Sequence, residues 1–313
     1  MYLHVYDPTD CTLCPRRCHG DRTRPPYGYC QSGTAPKAAL ASVHQYEEPP
    51  ISGTRGSGTV FFSGCALRCV FCQNYTISQE NNGVTLTTEE LADTFLSLQE
   101  KQVHNLNLVT AGHFLPSVVD ALRLAKEQGL TLPVVYNSSG YETVEALSLL
   151  EGLVDIYLPD CKYYDTALSA KLSHCPDYFF HAAKAIGEMV RQVGEAVFDE
   201  NGLMQRGVII RHMVLPSARE DSKKILSWIK ETFGDTVYVS LLRQYTPMYL
   251  AKELPPFHRK LTTFEYEDVV DHFLSLGLTH GFRQEKSSAT SAYTPLFDGS
   301  GLCRRATSRK EES

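Results

Sequence analysis

The chain has 313 residues, enough for one large domain or two small ones, and 42% of them are hydrophobic against 21% charged. Its 30 Lys and Arg against 36 Asp and Glu give a net charge of −6, whereas nucleic-acid binders normally carry a basic excess. No apolar run approaches the roughly 18 residues of a membrane helix, and the first seven residues lack the features of a secretory signal. We therefore expect a soluble, cytoplasmic globular protein that does not bind membranes or nucleic acid.

The first fifty residues differ in composition from the rest. They are rich in Cys, Pro, Arg and Gly and show little periodicity, which indicates a loop-rich module held by metal. Adjacent prolines and a glycine within residues 47–53 mark a boundary, so we predict this module over residues 1–50.

After residue 50, short apolar runs alternate with longer helical patterns. In chain order, the predicted elements are strand 59–63, helix 89–101 with Thr88 as its N-cap, strand 105–110, a helix to about 128, strand 133–136, helix 142–150, strand 154–158, helix 178–193, strand 208–214, helix 221–232, strand 236–242, helix 264–276 and strand 281–283.

This alternation of about six strand–helix units predicts an α/β fold with a parallel sheet and crossover helices. A partial (β/α)6 TIM-like barrel over residues 51–285 fits better than a doubly wound sheet, although periodicity alone leaves both open. Residues 286–313 are predicted to form a C-terminal extension with a disordered, charged tail.

Three cysteines form the most informative motif. Cys65, Cys69 and Cys72 have the spacing C-x3-C-x2-C and follow the first predicted barrel strand, where barrel enzymes place their chemistry. Three thiolates can bind three irons of a cubane, and with no fourth cysteine nearby one iron stays open to a small molecule. A structural zinc site is disfavoured because it normally takes four protein ligands.

This loop resembles the cluster-binding loop of radical S-adenosylmethionine (SAM) enzymes, including the aromatic Phe71 before the last cysteine. The resemblance implies a [4Fe-4S] cluster whose open iron binds the amino and carboxylate groups of SAM. It further implies reductive cleavage of SAM to a 5′-deoxyadenosyl radical that abstracts hydrogen from a substrate. Residues 56–65 and 72–78 look like the group related to pyruvate formate-lyase activating enzyme.

The same resemblance supplies candidate SAM-binding residues. Residues 155–162 resemble a strand ending in Asp-x-Lys, which implies that Lys162 contacts the SAM carboxylate with support from Asp160. Arg211 takes the matching position on the next strand. Residues 110–113 replace the usual Gly-Gly-Glu-type segment, so the backbone near Gly112 is expected to receive the SAM amino group. Candidates at the end of the third strand are Asn137 and Ser139.

A second group of cysteines lies in the N-terminal module. Cys11, Cys14, Cys18 and Cys30 resemble the amino-terminal signature of one branch of the activating-enzyme group. Four thiolates can close either an iron–sulfur cluster, which would relay electrons, or a zinc site, which would only fold the module, and unligated thiols are the third alternative. Buried or incidental thiols are expected at the remaining positions, Cys161, Cys175 and Cys303.

The resemblance also implies partners. These are an electron donor such as flavodoxin or ferredoxin and an unknown substrate, either a protein, for instance the glycyl loop of a partner enzyme, or a small molecule. The competing interpretation is a non-enzymatic iron–sulfur electron carrier or a zinc-stabilised binding module. The sequence identifies no catalytic side chain.

Overall fold

A computed structural model describes residues 6–278, 280–285, 288 and 294–305. The strands are β1 (Lys37–His44), β2 (Ser57–Phe62), β3 (Val84–Thr85), β4 (Leu106–Val109), β5 (Val134–Ser138), β6 (Ile156–Pro159), β7 (Val197–Phe198), β8 (Met204–Met213), β9 (Tyr238–Leu242) and β10 (Gly281–Arg283). The α-helices are α1 (Pro49–Ser52), α2 (Tyr75–Ser78), α3 (Thr88–Glu100), α4 (Leu115–Glu127), α5 (Val144–Leu147), α6 (Thr166–Ser173), α7 (Tyr178–Val193), α8 (Arg219–Phe233) and α9 (Thr263–Ser275).

One curved sheet organises the molecule. Strands β2, β4, β5, β6, β8 and β9 lie side by side and parallel, and β10 adds a short seventh parallel strand. The chain runs through helix between each of the six, as parallel pairing requires. All six residues of β2 are buried because both faces of the sheet are covered. The predicted α/β partial barrel is therefore confirmed.

The edge of this sheet lies in the predicted N-terminal module. Strand β1 pairs antiparallel with β2, and the two-residue β3 pairs with β1 on its other side. The sequence analysis placed no strand at 37–44, because a run of small and apolar residues has no period of its own. Residues 37–44 thus extend the sheet, and the loop-rich stretch precedes them.

Local helix signals agree with the structure to within a few residues. Helix α3 begins with a capping box in which Thr87 accepts from the backbone of Glu90 and the Glu90 carboxylate accepts from the backbone of Thr87. The N-cap is thus Thr87, one residue before the predicted Thr88. Helix α7 spans the residues predicted, because its apolar positions recur at helical spacing on one buried face.

The C-terminal segment packs on the sheet edge. The Gly299 amide donates to the Ala39 carbonyl at 2.8 Å, and the Ala41 amide donates to Ser300 at 2.9 Å. Arg305 pairs with Asp93 at 2.8 Å. The rest of the predicted disordered tail, residues 306–313, lies outside the described residues. Within the described part of the chain, no helix is long and apolar enough to cross a membrane.

Candidate active site at the carboxyl ends of the parallel strands

The three-cysteine loop leaves β2 through a tight turn at Gly64. Its φ of +82° favours glycine, and a Cβ there would lie 2.4 Å from Ser32 Oγ. The three sulfurs that follow each accept a hydrogen bond. The donors are the Leu67 amide to Cys65 at 3.3 Å, Ser173 Oγ to Cys69 at 3.0 Å and Ser78 Oγ to Cys72 at 3.2 Å.

Burial favours the neutral thiol form of Cys65 and Cys72. Loss of solvent raises the pKa of Cys65 to about 12 and that of Cys72 to about 11, and in both cases Cys69 adds to the increase. Thiolate, not thiol, is the metal ligand, so metal binding at this loop must release protons. Helix α6 contacts the loop, because the Val70 amide donates to the Leu172 carbonyl at 2.9 Å.

A part-buried charge network lies beside the loop. Asp160 accepts from Lys162 Nζ at 2.5 Å and from Arg211 Nε at 3.1 Å. Arg211 also donates to Glu47 Oε2 at 3.2 Å and to Asn137 Oδ1 at 2.5 Å. The structure thus brings together four of the predicted SAM-binding residues, which the sequence spreads from position 137 to position 211.

Lys162 links this network to the cysteines. Burial alone would lower the pKa of Lys162, but Asp160 and then Cys69 raise it above the usual value. In return, Lys162 opposes the rise in the pKa of Cys72. Burial likewise works against ionisation of Asp160, yet Lys162 and Arg211 bring its pKa below the ordinary range. The ammonium group and the carboxylate are therefore both charged next to the thiol loop.

Two cavities adjoin these groups. One of about 110 Å³ is bounded by Phe71, Asp160, Lys162 and Arg211 among others. Another, of about 1120 Å³, reaches Gln73 in the loop and also borders Arg211. This second cavity occupies the interior of the open barrel, and its volume exceeds the ordinary range of small-molecule pockets.

The sequence analysis missed Glu47 and Glu48. It treated them as part of a boundary segment because two prolines follow. In the structure both carboxylates border the large cavity. Burial raises the pKa of each, and the Arg211 charge opposes this. Glu48 Oε2 is buried and has no hydrogen-bond partner among the described residues. Nothing in the local pattern marks these residues, since their partner Arg211 lies 164 positions from Glu47.

Two other predicted residues have different neighbours. A Cβ on Gly112 would lie 2.6 Å from both carboxylate oxygens of Glu142, and the Ser139 carbonyl accepts from Tyr178 Oη at 2.8 Å. Thr110, at the end of β4, has a φ of +60°, which is strained for a β-branched residue. The strained backbone coincides with the predicted site of the SAM amino group, and the roles of Gly112 and Ser139 stay predictions.

The remaining cysteines fall into two sets. The four N-terminal ones, Cys11, Cys14, Cys18 and Cys30, line one small cavity next to the three-cysteine loop. The other three do not line this cavity. Cys161 is buried in the main core, Cys175 lies in the hydrophobic cluster around the three-cysteine loop, and Cys303 is part-buried near α3. Among the described residues, no three His, Cys, Asp or Glu side chains converge like ligands of a single ion.

Comparison with known proteins gives the family. The sequence pattern of the radical SAM superfamily matches residues 59–238, more than half of the chain, from β2 to the start of β9. The chain belongs to the radical SAM superfamily. This membership implies a [4Fe-4S] cluster and SAM. One buried and two half-buried cysteines, with one donor to each sulfur and a charged cavity beside them, fit both groups.

Two relatives cover much of this radical SAM protein. An uncharacterized protein of Methanocaldococcus jannaschii is 31% identical over 270 residues, which are 84% of this chain and 73% of that protein. The pyruvate formate-lyase-activating enzyme of Clostridium pasteurianum is 28% identical over 204 residues, 61% of this chain and 77% of its own length. The crystal structure of methylornithine synthase aligns with a TM-score of 0.46 and 15% identity, covering 80% of this chain and 74% of that one.

Proposed function

We propose that this radical SAM enzyme holds its cluster with Cys65, Cys69 and Cys72 and its SAM with the network around Lys162 and Arg211. When bound and reduced, the cluster would supply the one electron needed to cleave SAM into methionine and a 5′-deoxyadenosyl radical, and this radical would become 5′-deoxyadenosine by taking a hydrogen atom from the substrate. The observation that carries this proposal is the position of Lys162, which pairs with Asp160 and lines, with Arg211 and with Phe71 of the cysteine loop, one cavity.

The charge balance of the network suits SAM. Three carboxylates, those of Glu47, Glu48 and Asp160, face two cations, Lys162 and Arg211. SAM carries a carboxylate, an ammonium and a sulfonium group and is a net cation. Lys162 and Arg211 exchange part of their contact with Asp160 for the SAM carboxylate, and the surplus acidic groups then balance the added positive charge.

The large cavity is the proposed substrate site. It opens from the loop after Cys72 into the barrel interior, and its wall carries both acidic and basic groups, including Glu48 and Arg243. The similarity to the activating enzyme of Clostridium pasteurianum, whose name describes action on another enzyme, supports a protein substrate. We take that substrate to be a glycyl-radical-type partner, with flavodoxin or ferredoxin as the electron donor.

SAM cleavage is the first test. Anaerobically reconstituted, dithionite-reduced wild type is assayed for 5′-deoxyadenosine beside Cys69→Ala and, as a matched control, Cys303→Ala. Wild type and the control should form the product, and Cys69→Ala should not. SAM should also change the EPR spectrum of the reduced wild-type cluster. A fully reconstituted wild type with neither product nor spectral change would contradict the assignment.

A label-transfer experiment tests the substrate class. Extract from cells grown on deuterated glycine is dialysed, and the retained and the dialysable fractions are each incubated with enzyme and SAM. Deuterium in 5′-deoxyadenosine should come from the retained fraction, because a glycyl residue of a protein is the proposed hydrogen donor. Deuterium transfer from the dialysable fraction alone would exclude a protein substrate.

A further inference from the structure

We propose that Cys11, Cys14, Cys18 and Cys30 ligate a second iron–sulfur cluster, packed against the loop that holds the first. The residues of this site come from a segment outside the matched superfamily region. The proposal does not depend on SAM chemistry, because its evidence lies entirely in the N-terminal module and its contacts.

Backbone geometry gathers the four cysteines. The Arg17 amide donates to Cys14 at 3.0 Å, and an antiparallel bridge joins Cys11 to Gly20. A Cβ at Gly20 would lie 2.5 Å from Gly28 Cα, and one at Gly28 would lie 2.7 Å from Cys18 Sγ. Only glycine allows the two chain segments to approach this closely, and the approach brings Cys18 and Cys30 to the same cavity.

The charged side chains that line the cavity are positive, which favours a bound anion. Arg16 and Arg22 both line it, and among the described residues no carboxylate does. Arg22 is 3% exposed, and its Nε and Nη2 donate to the carbonyls of Ser32 and Gly33. A buried cation without a countercharge is costly. A cluster held by four thiolates carries net negative charge and supplies that countercharge.

The position of the module against the three-cysteine loop favours a polynuclear cluster over zinc. Zinc draws four sulfurs to about 2.3 Å from a single point, whereas a cubane binds each thiolate to its own iron and keeps the sulfurs apart. The four cysteines surround a cavity that also contacts Leu13, Tyr29, Ala66 and His113. Ala66 belongs to the three-cysteine loop, so a cluster in this cavity would adjoin the first one, and of the two metal groups only an iron–sulfur cluster could pass electrons to it.

Metal analysis of separated sites tests the proposal. Wild type, the triple variant Cys65→Ala/Cys69→Ala/Cys72→Ala, Cys18→Ser and the control Cys303→Ala are reconstituted anaerobically with iron, sulfide and an equal amount of zinc. Wild type and the control should bind about eight irons per chain, and the triple variant about four. The reduced triple variant should give a cluster EPR signal that SAM does not change.

Cys18→Ser guards against a folding artefact, because Cys18 is exposed and its replacement leaves the buried contacts in place. It should keep the wild-type circular dichroism and the SAM-sensitive signal while losing about half of the iron. One zinc and no iron in the triple variant, or a wild type with only about four irons, would overturn the second cluster. If the wild-type EPR spectrum does not respond to SAM while the triple variant still binds iron, that result would contradict only the proposed function and not the second cluster.

Discussion

Arg16 Nε donates a hydrogen bond of 2.9 Å to the carbonyl of Ala66, which joins the N-terminal cysteine module to the three-cysteine loop. The same guanidinium donates to the Ser173 carbonyl at 2.7 Å and lies 4.1 Å from the centre of the Tyr29 ring. Arg16 follows Cys14 by two residues, and Ala66 follows Cys65 directly. One side chain of the N-terminal module thus contacts the backbone of the three-cysteine loop and of the end of α6.

Replacing Arg16 should weaken the whole assembly. Arg16→Met removes a charged donor from the part-buried carbonyls of Ala66 and Ser173, which should lower the free energy of unfolding by about 3 kcal/mol. The neighbouring Arg17→Met is the matched control, because Arg17 is exposed. Urea unfolding of equally reconstituted proteins measures the difference. Equal midpoints for the two variants would show that the bridge contributes nothing.

The donor to Cys69 should tune the cluster potential. Ser173 Oγ donates to Cys69 Sγ at 3.0 Å, and hydrogen bonds to cluster sulfurs favour the more negative, reduced state. Ser173→Ala should therefore lower the reduction potential by about 40 mV, the one-electron equivalent of roughly 1 kcal/mol. Ser169→Ala, whose hydroxyl bonds to the helix backbone instead, serves as control. A redox titration monitored by EPR measures the reduction potential of each variant. An unchanged or raised potential in Ser173→Ala would contradict the role of Ser173.

Lys162 should contribute to SAM affinity and not to cluster assembly. Lys162→Met removes a charged hydrogen bond to the SAM carboxylate, so the dissociation constant should rise roughly 10- to 100-fold. Iron content and the EPR intensity without SAM should stay at wild-type levels, as they should in the exposed control Lys171→Met. Equilibrium binding of SAM measures the effect. Unchanged SAM affinity would remove Lys162 from the site, and loss of iron would make its role structural.

Glu142 should make stability depend on pH. Burial raises its pKa to about 7, and hydrogen bonds from Ser138 and Tyr136 oppose the rise. The folded state therefore prefers the protonated carboxyl, and this contribution is complete below the ordinary carboxyl pKa and lost as the pH rises through 7. Between pH 4.5 and 8, Glu142 should cost about 3 kcal/mol of stability.

Glu142→Gln retains an oxygen acceptor for Ser138 and Tyr136 but does not ionise. Compared with wild type, it should lose less stability between pH 5 and pH 8, whereas the exposed control Glu145→Gln should follow the wild type. Urea unfolding at both pH values, in the same state of reconstitution, provides the comparison. Parallel pH profiles for wild type and Glu142→Gln would show that Glu142 is not the group responsible.

The sequence by itself determined the fold class and the three-cysteine loop. Cys65, Cys69 and Cys72 lie within eight consecutive positions, so chain connectivity alone keeps them close. Buried parallel strands are apolar along their whole length and surface helices are apolar on one face, so both can be recognised locally. Edge strand β1 and helix α6 were not predicted, because their sequences show neither pattern clearly.

Tertiary structure alone decided what surrounds the loop. Ser173 reaches Cys69 across 104 positions, and Glu47 reaches Arg211 across 164. Arg16 reaches Ala66 across 50. Such pairs cannot be predicted from the local sequence, because these polar side chains resemble any others until folding takes them out of contact with water. Their partners are then fixed by which strands and loops the sheet brings together, since a buried charge or hydrogen-bonding group must be satisfied where it lies.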